Sequence, residues 1–204
     1  MKYLKIILLS FFILSCEGGD GYDPTINFET ISNLHAPVEG GQGLNSSGPF
    51  TKFDFETSSE TNSETNWDIA FRGTSLIING GSSLNNDSEP ERNGNAGAYI
   101  FNGSLAALEI VDENLFTQDS EQGYAIQTGS GNGWYNYTGS PDHLILPIPG
   151  RILVFRTRNN GYAKVEVLSY YFDAPENPDA FDDESRYYTF NYVYQSEPGN
   201  TSFN

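Results

Sequence analysis

Between residues 188 and 194 every second position is an aromatic ring. Tyr188, Phe190, Tyr192 and Tyr194 alternate with Thr189, Asn191 and Val193. A two-residue period puts all four rings on one face of an extended strand. A face that wide and apolar has to be covered by a second layer. Residues 151–157 and 162–172 alternate in the same way. In the second run Ala163, Val165 and Val167 share one face, and Lys164 and Glu166 share the other. Asn159-Asn160-Gly161 between the runs carries the chemistry of a tight hairpin turn. The 13 Tyr, 14 Phe and 2 Trp suit pleated, half-buried surfaces, and 21 Gly and 10 Pro supply turns. The expected class is all-β, with many short antiparallel strands and little helix. A chain of 204 residues is long enough to bury a core without disulfides or metal.

Further strands are expected at residues 50–55, 67–71, 75–78, 98–101, 123–127 and 134–138. In the second of these Trp67, Ile69 and Phe71 are read on one face. Asn79-Gly80-Gly81 closes the third. Residues 56–66 and 82–97 read as polar loops, 105–111 as a helical turn, and 172–186 as an acidic, Pro-containing loop. Loops of that length in a compact domain tend to carry function.

The N-terminus reads as an export signal. Met1 to Lys5 is a short basic segment, and residues 6–14 are an apolar run too short to span a bilayer. Ile13-Leu14-Ser15-Cys16 resembles a bacterial lipobox, in which Cys16 becomes the first mature residue and carries lipid. That implies residues 1–15 as signal peptide, 16–48 as anchor, tether and irregular lead-in, and 49–204 as the folded β domain. Cys16 is the one cysteine, so a lipidated chain has no disulfide and no thiol nucleophile. Lipid attachment makes the protein membrane-anchored, not membrane-spanning.

Charge and motifs exclude several functions. A net charge of −17 repels phosphate backbones, so nucleic acid is not a partner. There is no His-Glu-x-x-His zinc motif and no phosphate-cradling Gly-rich loop followed by Lys. Gly129-Ser130-Gly131 lacks the spacing of a nucleophile elbow. The two histidines are His35 and His143. Asp142 beside His143 is poorly placed to orient it, since neighbours on a strand point to opposite faces. The chain reads as a binding protein and not as an enzyme.

Three segments in order resemble the HmuY family of heme-binding lipoproteins. They are Asn66-Trp67-Asp68-Ile69-Ala70-Phe71-Arg72 followed by Asn79-Gly80-Gly81; Val154-Phe155-Arg156-Thr157 with Asn160-Gly161-Tyr162-Ala163-Lys164-Val165 and Ser169-Tyr170-Tyr171; and Tyr188 through Gln195. The resemblance covers roughly residues 50 to 204 and implies a HmuY-like all-β fold. It also implies an outer-membrane lipoprotein, on the cell surface or the periplasmic face or released, that takes up heme and passes it to an outer-membrane receptor. Heme needs an aromatic-lined slot and axial ligands. Trp134, Tyr135, Tyr137 and Tyr162 are candidates for the slot, and Arg72, Arg151, Arg156 and Arg158 for the propionates. The family's downstream ligand position falls at Gly139, and the upstream region, residues 105–123, holds neither His nor Met. The one methionine, Met1, leaves with the signal. Iron ligation therefore falls to His143 or to a tyrosinate such as Tyr137, and His35 is placed outside the site. The alternatives are the same fold binding a glycan or protein partner, or calcium at Asp179, Asp182, Asp183 and Glu184.

Overall fold

The computed structural model describes residues 26–40, 46–84 and 88–204. Eleven strands occur among them: β1 (Ile26–His35), β2 (Thr51–Asp54), β3 (Ser59–Thr61), β4 (Ile69–Arg72), β5 (Ser75–Ile78), β6 (Gly97–Asn102), β7 (Tyr135–Tyr137), β8 (Ile145–Pro147), β9 (Arg151–Arg156), β10 (Tyr162–Tyr171) and β11 (Ser185–Gln195). The helical content of the described residues is one three-residue 3-10 turn, Glu113–Leu115, capped by the Asp112 carboxylate. The chain is all-β, and every pairing between its strands is antiparallel.

Two sheets carry the core. One has the order β1-β11-β10-β9-β6, the other β3-β2-β4-β5, and β7 and β8 form a separate ribbon. The alternating aromatics of β11 face the smaller sheet. Phe190 meets Phe53 edge-on at 5.6 Å, and Tyr188 lies 4.7 Å from Phe71. Phe55 reaches Phe155 and Tyr194, each at 6.0 Å. Ala163, Val165 and Val167 of β10 lie in the same core. The outer face of the large sheet is covered too: Tyr162, Ile152 and Val154 pack under Leu108, Val111 and Phe203. Lys164 on that face donates to the Leu108 carbonyl at 2.7 Å and lies over the Phe203 ring. Burial pushes its ammonium below the usual lysine range.

Buried polar groups fasten the loops. Arg158, just past β9, pairs with Asp54 at 2.8 Å and Asp68 at 3.1 Å, tying the hairpin after β9 to the smaller sheet. Arg92 pairs with Glu89 and Asp119, whose carboxylate also accepts from the Ile78 and Ala125 amides. These bonds hold the polar loop after β5 against the sheet. At Gly80 a Cβ would stand 1.9 Å from the Ala96 carbonyl oxygen, so the two backbones touch where a side chain has no room.

Several local expectations are corrected. The lead-in expected to be irregular contains β1, which pairs with β11 from Ile26↔Gln195 to His35↔Tyr187. A bulge between Ile31 and Leu34, with Asn33 at φ 59°, breaks the two-residue period, and an edge strand shows mostly polar, exposed residues. The loop at 56–66 contains β3. Residues 123–127 form no strand; Gly123 makes one isolated bridge to Ser120. Residues 105–111 hold a turn at 105–107 followed by extended chain. Trp67 does not share a face with Ile69 and Phe71. It precedes β4 and packs with Phe50, Ala70 and Ile77 on the sheet's other side.

Candidate functional site

The β7–β8 ribbon is short, and the turn it carries is tightly bonded. Thr138 N–H donates to the Leu144 carbonyl at 3.0 Å, Leu144 N–H to the Thr138 hydroxyl at 2.9 Å, and His143 N–H to the Gly139 carbonyl at 2.8 Å. His143 adopts φ 54°, in the left-handed region. Its Nδ1 is hydrogen-bonded to the Tyr137 hydroxyl. A second loop brings Phe181 edge-on to the imidazole, with ring centres 6.0 Å apart. Phe181 is 75% exposed. Its loop is shaped by its own acids: the Asp179 carboxylate accepts from the Phe181 amide and the Asp183 carboxylate from the Asp179 amide, both at 2.8 Å.

These side chains border a cleft of about 1000 Å³, at the upper end of the range for small-molecule sites. Val38, Ile145 and Tyr170 add apolar wall, and Arg72 and Arg186 add charge. Arg72 is buried, donates to the Gly48 carbonyl at 3.1 Å and to the Ser88 hydroxyl at 2.6 Å, and lies 4.2 Å over the Phe50 ring. Arg186 is exposed and donates to the Val38 carbonyl at 3.3 Å. Burial pushes the Tyr170 phenol well above the usual range, and the neighbouring Arg186 charge offsets part of that rise.

The sequence-derived candidates divide. His143 and Tyr137 meet at the cleft. Trp134 and Tyr135 do not line it. Trp134 is 2% exposed, donates its indole N–H to the Thr74 carbonyl at 3.0 Å, and packs against Tyr188 and Tyr170, so it backs the cleft wall from the core. Tyr135 is buried beside it. Tyr162 lies under the opposite face of the large sheet, its hydroxyl on Glu113. Of the four arginines weighed for propionates, Arg72 alone lines the cleft. Arg151 caps carbonyls of residues 131–133, Arg156 binds the Asn95 carbonyl, and Arg158 sits in the carboxylate network. His35 stacks on Tyr187 at 4.5 Å at the end of β1, away from the cleft. Cys16 lies outside the described residues. A Cβ at Gly139 would meet nothing within 4 Å, but φ is 74° there, so a histidine at that position would be strained.

Phe181 and Arg186 were not read from the sequence as site residues. The available signal was a lone ring inside an acidic run, Ala180-Phe181-Asp182-Asp183. Nothing local marks Arg186. Among the described residues no group of three or more His, Cys, Asp or Glu is placed to hold a bare metal ion. Asp179 and Asp183 spend oxygens on backbone amides.

No protein-family model matches the sequence, and no curated protein does. Solved structures with a similar outline exist. A candidate lipoprotein of Bacteroides fragilis is 16% identical, with a TM-score of 0.48 over 85% of this chain and 91% of that one. The apo form of a HmuY analogue from Tannerella forsythia is 11% identical, with a TM-score of 0.48 over 83% and 95% of the two chains. A candidate HmuY-like heme-binding protein of Bacteroides vulgatus is 15% identical, with a TM-score of 0.47 over 85% and 95%. Function has to be read from the cleft itself.

Proposed function

We propose that this chain is a lipid-anchored binding protein that captures heme for uptake. Residues 1–15 are removed, Cys16 carries the lipid, and the anchored protein sits at the outer membrane. The nine residues between Cys16 and Ile26 reach at most about 36 Å when extended. The anchor therefore keeps the β domain close to the bilayer and to any membrane receptor.

The observation that carries the reading is the bonded pair Tyr137–His143 at the edge of an aromatic-walled cleft of about 1000 Å³. Heme, when bound, supplies an iron centre that accepts axial ligands. The residues present fit such a group from one side. With Nδ1 held by Tyr137, His143 has Nε2 left to ligate, and a bonded partner on the other ring nitrogen fixes the ring's orientation. Phe181 and Tyr137 offer apolar faces to a flat ligand, and both are well exposed for it. No second His and no Met lines the cleft among the described residues. The chain therefore offers one imidazole and not the pair that the HmuY resemblance implies.

The test is a titration of the purified protein with ferric and ferrous heme, followed in the Soret and Q bands. A saturable, shifted spectrum is expected. His143→Ala changes its form, and Tyr137→Phe weakens binding while keeping a histidine-ligated spectrum. A spectrum indistinguishable from free heme refutes the reading. Sugar or partner binding at the exposed Phe181 and Tyr137 rings would then be screened by aromatic fluorescence.

A further inference from the structure

The cleft is an electrostatic exception in this molecule. The chain has 27 Asp and Glu against 10 Lys and Arg. Yet no described Asp or Glu lines the cleft, while Arg72, Arg186 and His143 do. In a molecule whose general field repels anions, this wall is cationic.

Neither arginine is in an ion pair among the described residues. Among the described residues the ion pairs engage Lys52, Arg92 and Arg158, and neither Arg72 nor Arg186 reaches a carboxylate. Arg72 is 4% exposed, and its buried Nε has no acceptor among the described residues. A buried guanidinium with no ion pair among the described residues is costly, and an anion in the adjoining cleft would relieve that cost. Tyr170, also on the wall, has a hydroxyl with no hydrogen bond among the described residues.

The backbone adds an independent observation. Arg186 adopts φ 75°, which glycine or asparagine takes at lower cost. Its guanidinium makes one long bond within the described protein, to the Val38 carbonyl. A strained position occupied by a long charged side chain with so little internal bonding points to a role in the cleft it lines.

We propose that the cleft selects an anionic ligand with a flat apolar body. Its acid group is held by Arg186 and Arg72, with the Tyr170 hydroxyl alongside, and its body lies against Phe181 and Tyr137. The inference rests on the cleft being the binding site, as above, but not on iron.

The test uses two probes with one body. 1-Anilinonaphthalene-8-sulfonate carries an acid group; N-phenyl-1-naphthylamine is the same skeleton without it. Fluorescence titration of the purified protein is expected to show one saturable sulfonate site. It should be at least about tenfold tighter than the neutral probe, as a charge-assisted contact supplies. Arg186→Gln, a change at an exposed side chain, should weaken the sulfonate probe and abolish that preference. Equal affinity for both probes, or a sulfonate affinity indifferent to Arg186→Gln, overturns the proposal. Heme spectra report on iron separately. Sulfonate preference without a heme spectrum upholds the anion site and refutes heme capture, and a heme spectrum without sulfonate preference does the reverse.

Discussion

Asp68 is the residue whose removal most directly tests the energetics of the fold. It is 1% exposed, accepts the Phe55 and Arg158 amides at 3.0 and 2.9 Å, and pairs with the Arg158 guanidinium. Those bonds lower its pKa, but burial outweighs them and lifts it from 3.8 to about 6. The folded state therefore holds this proton more tightly than the unfolded chain. Between the two values the native protein binds more protons, so stability falls as pH rises, and the contribution is gone above about pH 6. At roughly 1.4 kcal/mol per pKa unit the whole effect is about 3 kcal/mol, most of which falls between pH 4 and pH 7. Asp68→Asn removes the titration. Urea unfolding of both proteins across this range isolates the residue, because other carboxylates cancel in the difference. The variant's penalty relative to the parent should be larger at pH 4 than at pH 7, by about 2 kcal/mol. A penalty constant across that range would mean that Asp68 is ionised throughout, and that the Arg158 pair outweighs burial.

Three further substitutions probe packing. Phe190→Ala empties a site with no exposure at the centre of the inter-sheet core. It should cost about 3–5 kcal/mol in urea melts. Gly80→Ala drives a Cβ to 1.9 Å from the Ala96 carbonyl oxygen; it should cost more than about 4 kcal/mol or prevent folding. Gly123→Ala, where nothing lies within 4 Å, should stay within about 0.5 kcal/mol of the parent. A Gly80 variant as stable as the Gly123 variant would contradict the close backbone approach.

The core strands were legible because their physics is local. The rings of β11 and the small residues of β10 obey a two-residue period that packing against a second sheet then uses unchanged. β1 was illegible because its bulge at Asn33 shifts the period midway, and because an edge strand shows solvent most of its side chains. The two-residue period places Trp67 with Ile69 and Phe71, but β4 begins only at Ile69, and before it the chain turns Trp67 to the sheet's other side. His143 and Tyr137 follow from the resemblance to the family's ligand position near Gly139, and the β7–β8 turn brings them together. Trp134 was mistaken for a slot residue because an aromatic near that turn looks the same in sequence whether it faces core or cleft. Arg186 reaches the cleft through contacts between distant segments, which no local pattern encodes.

The left-handed residues sharpen that distinction between what folding requires and what a site requires. Asn33, Ser58, Asn160 and Asp173 have positive φ, and their short polar side chains tolerate it, while Ala174, in a turn outside the cleft, shares the conformation. His143 also adopts it, whereas Arg186 has a long charged side chain there; both line the cleft. If φ 75° at Arg186 is a cost carried for the side chain, Arg186→Gly should not destabilise the protein despite the added freedom of the unfolded chain. Relief of strain, about 1 kcal/mol or more, opposes an entropic loss of similar size. The expected urea midpoint is unchanged or slightly raised, while the preference for the sulfonate probe disappears. A loss above about 1 kcal/mol would show that the guanidinium bond to Val38 stabilises the fold, and would make Arg186 a structural residue instead of a ligand-facing one.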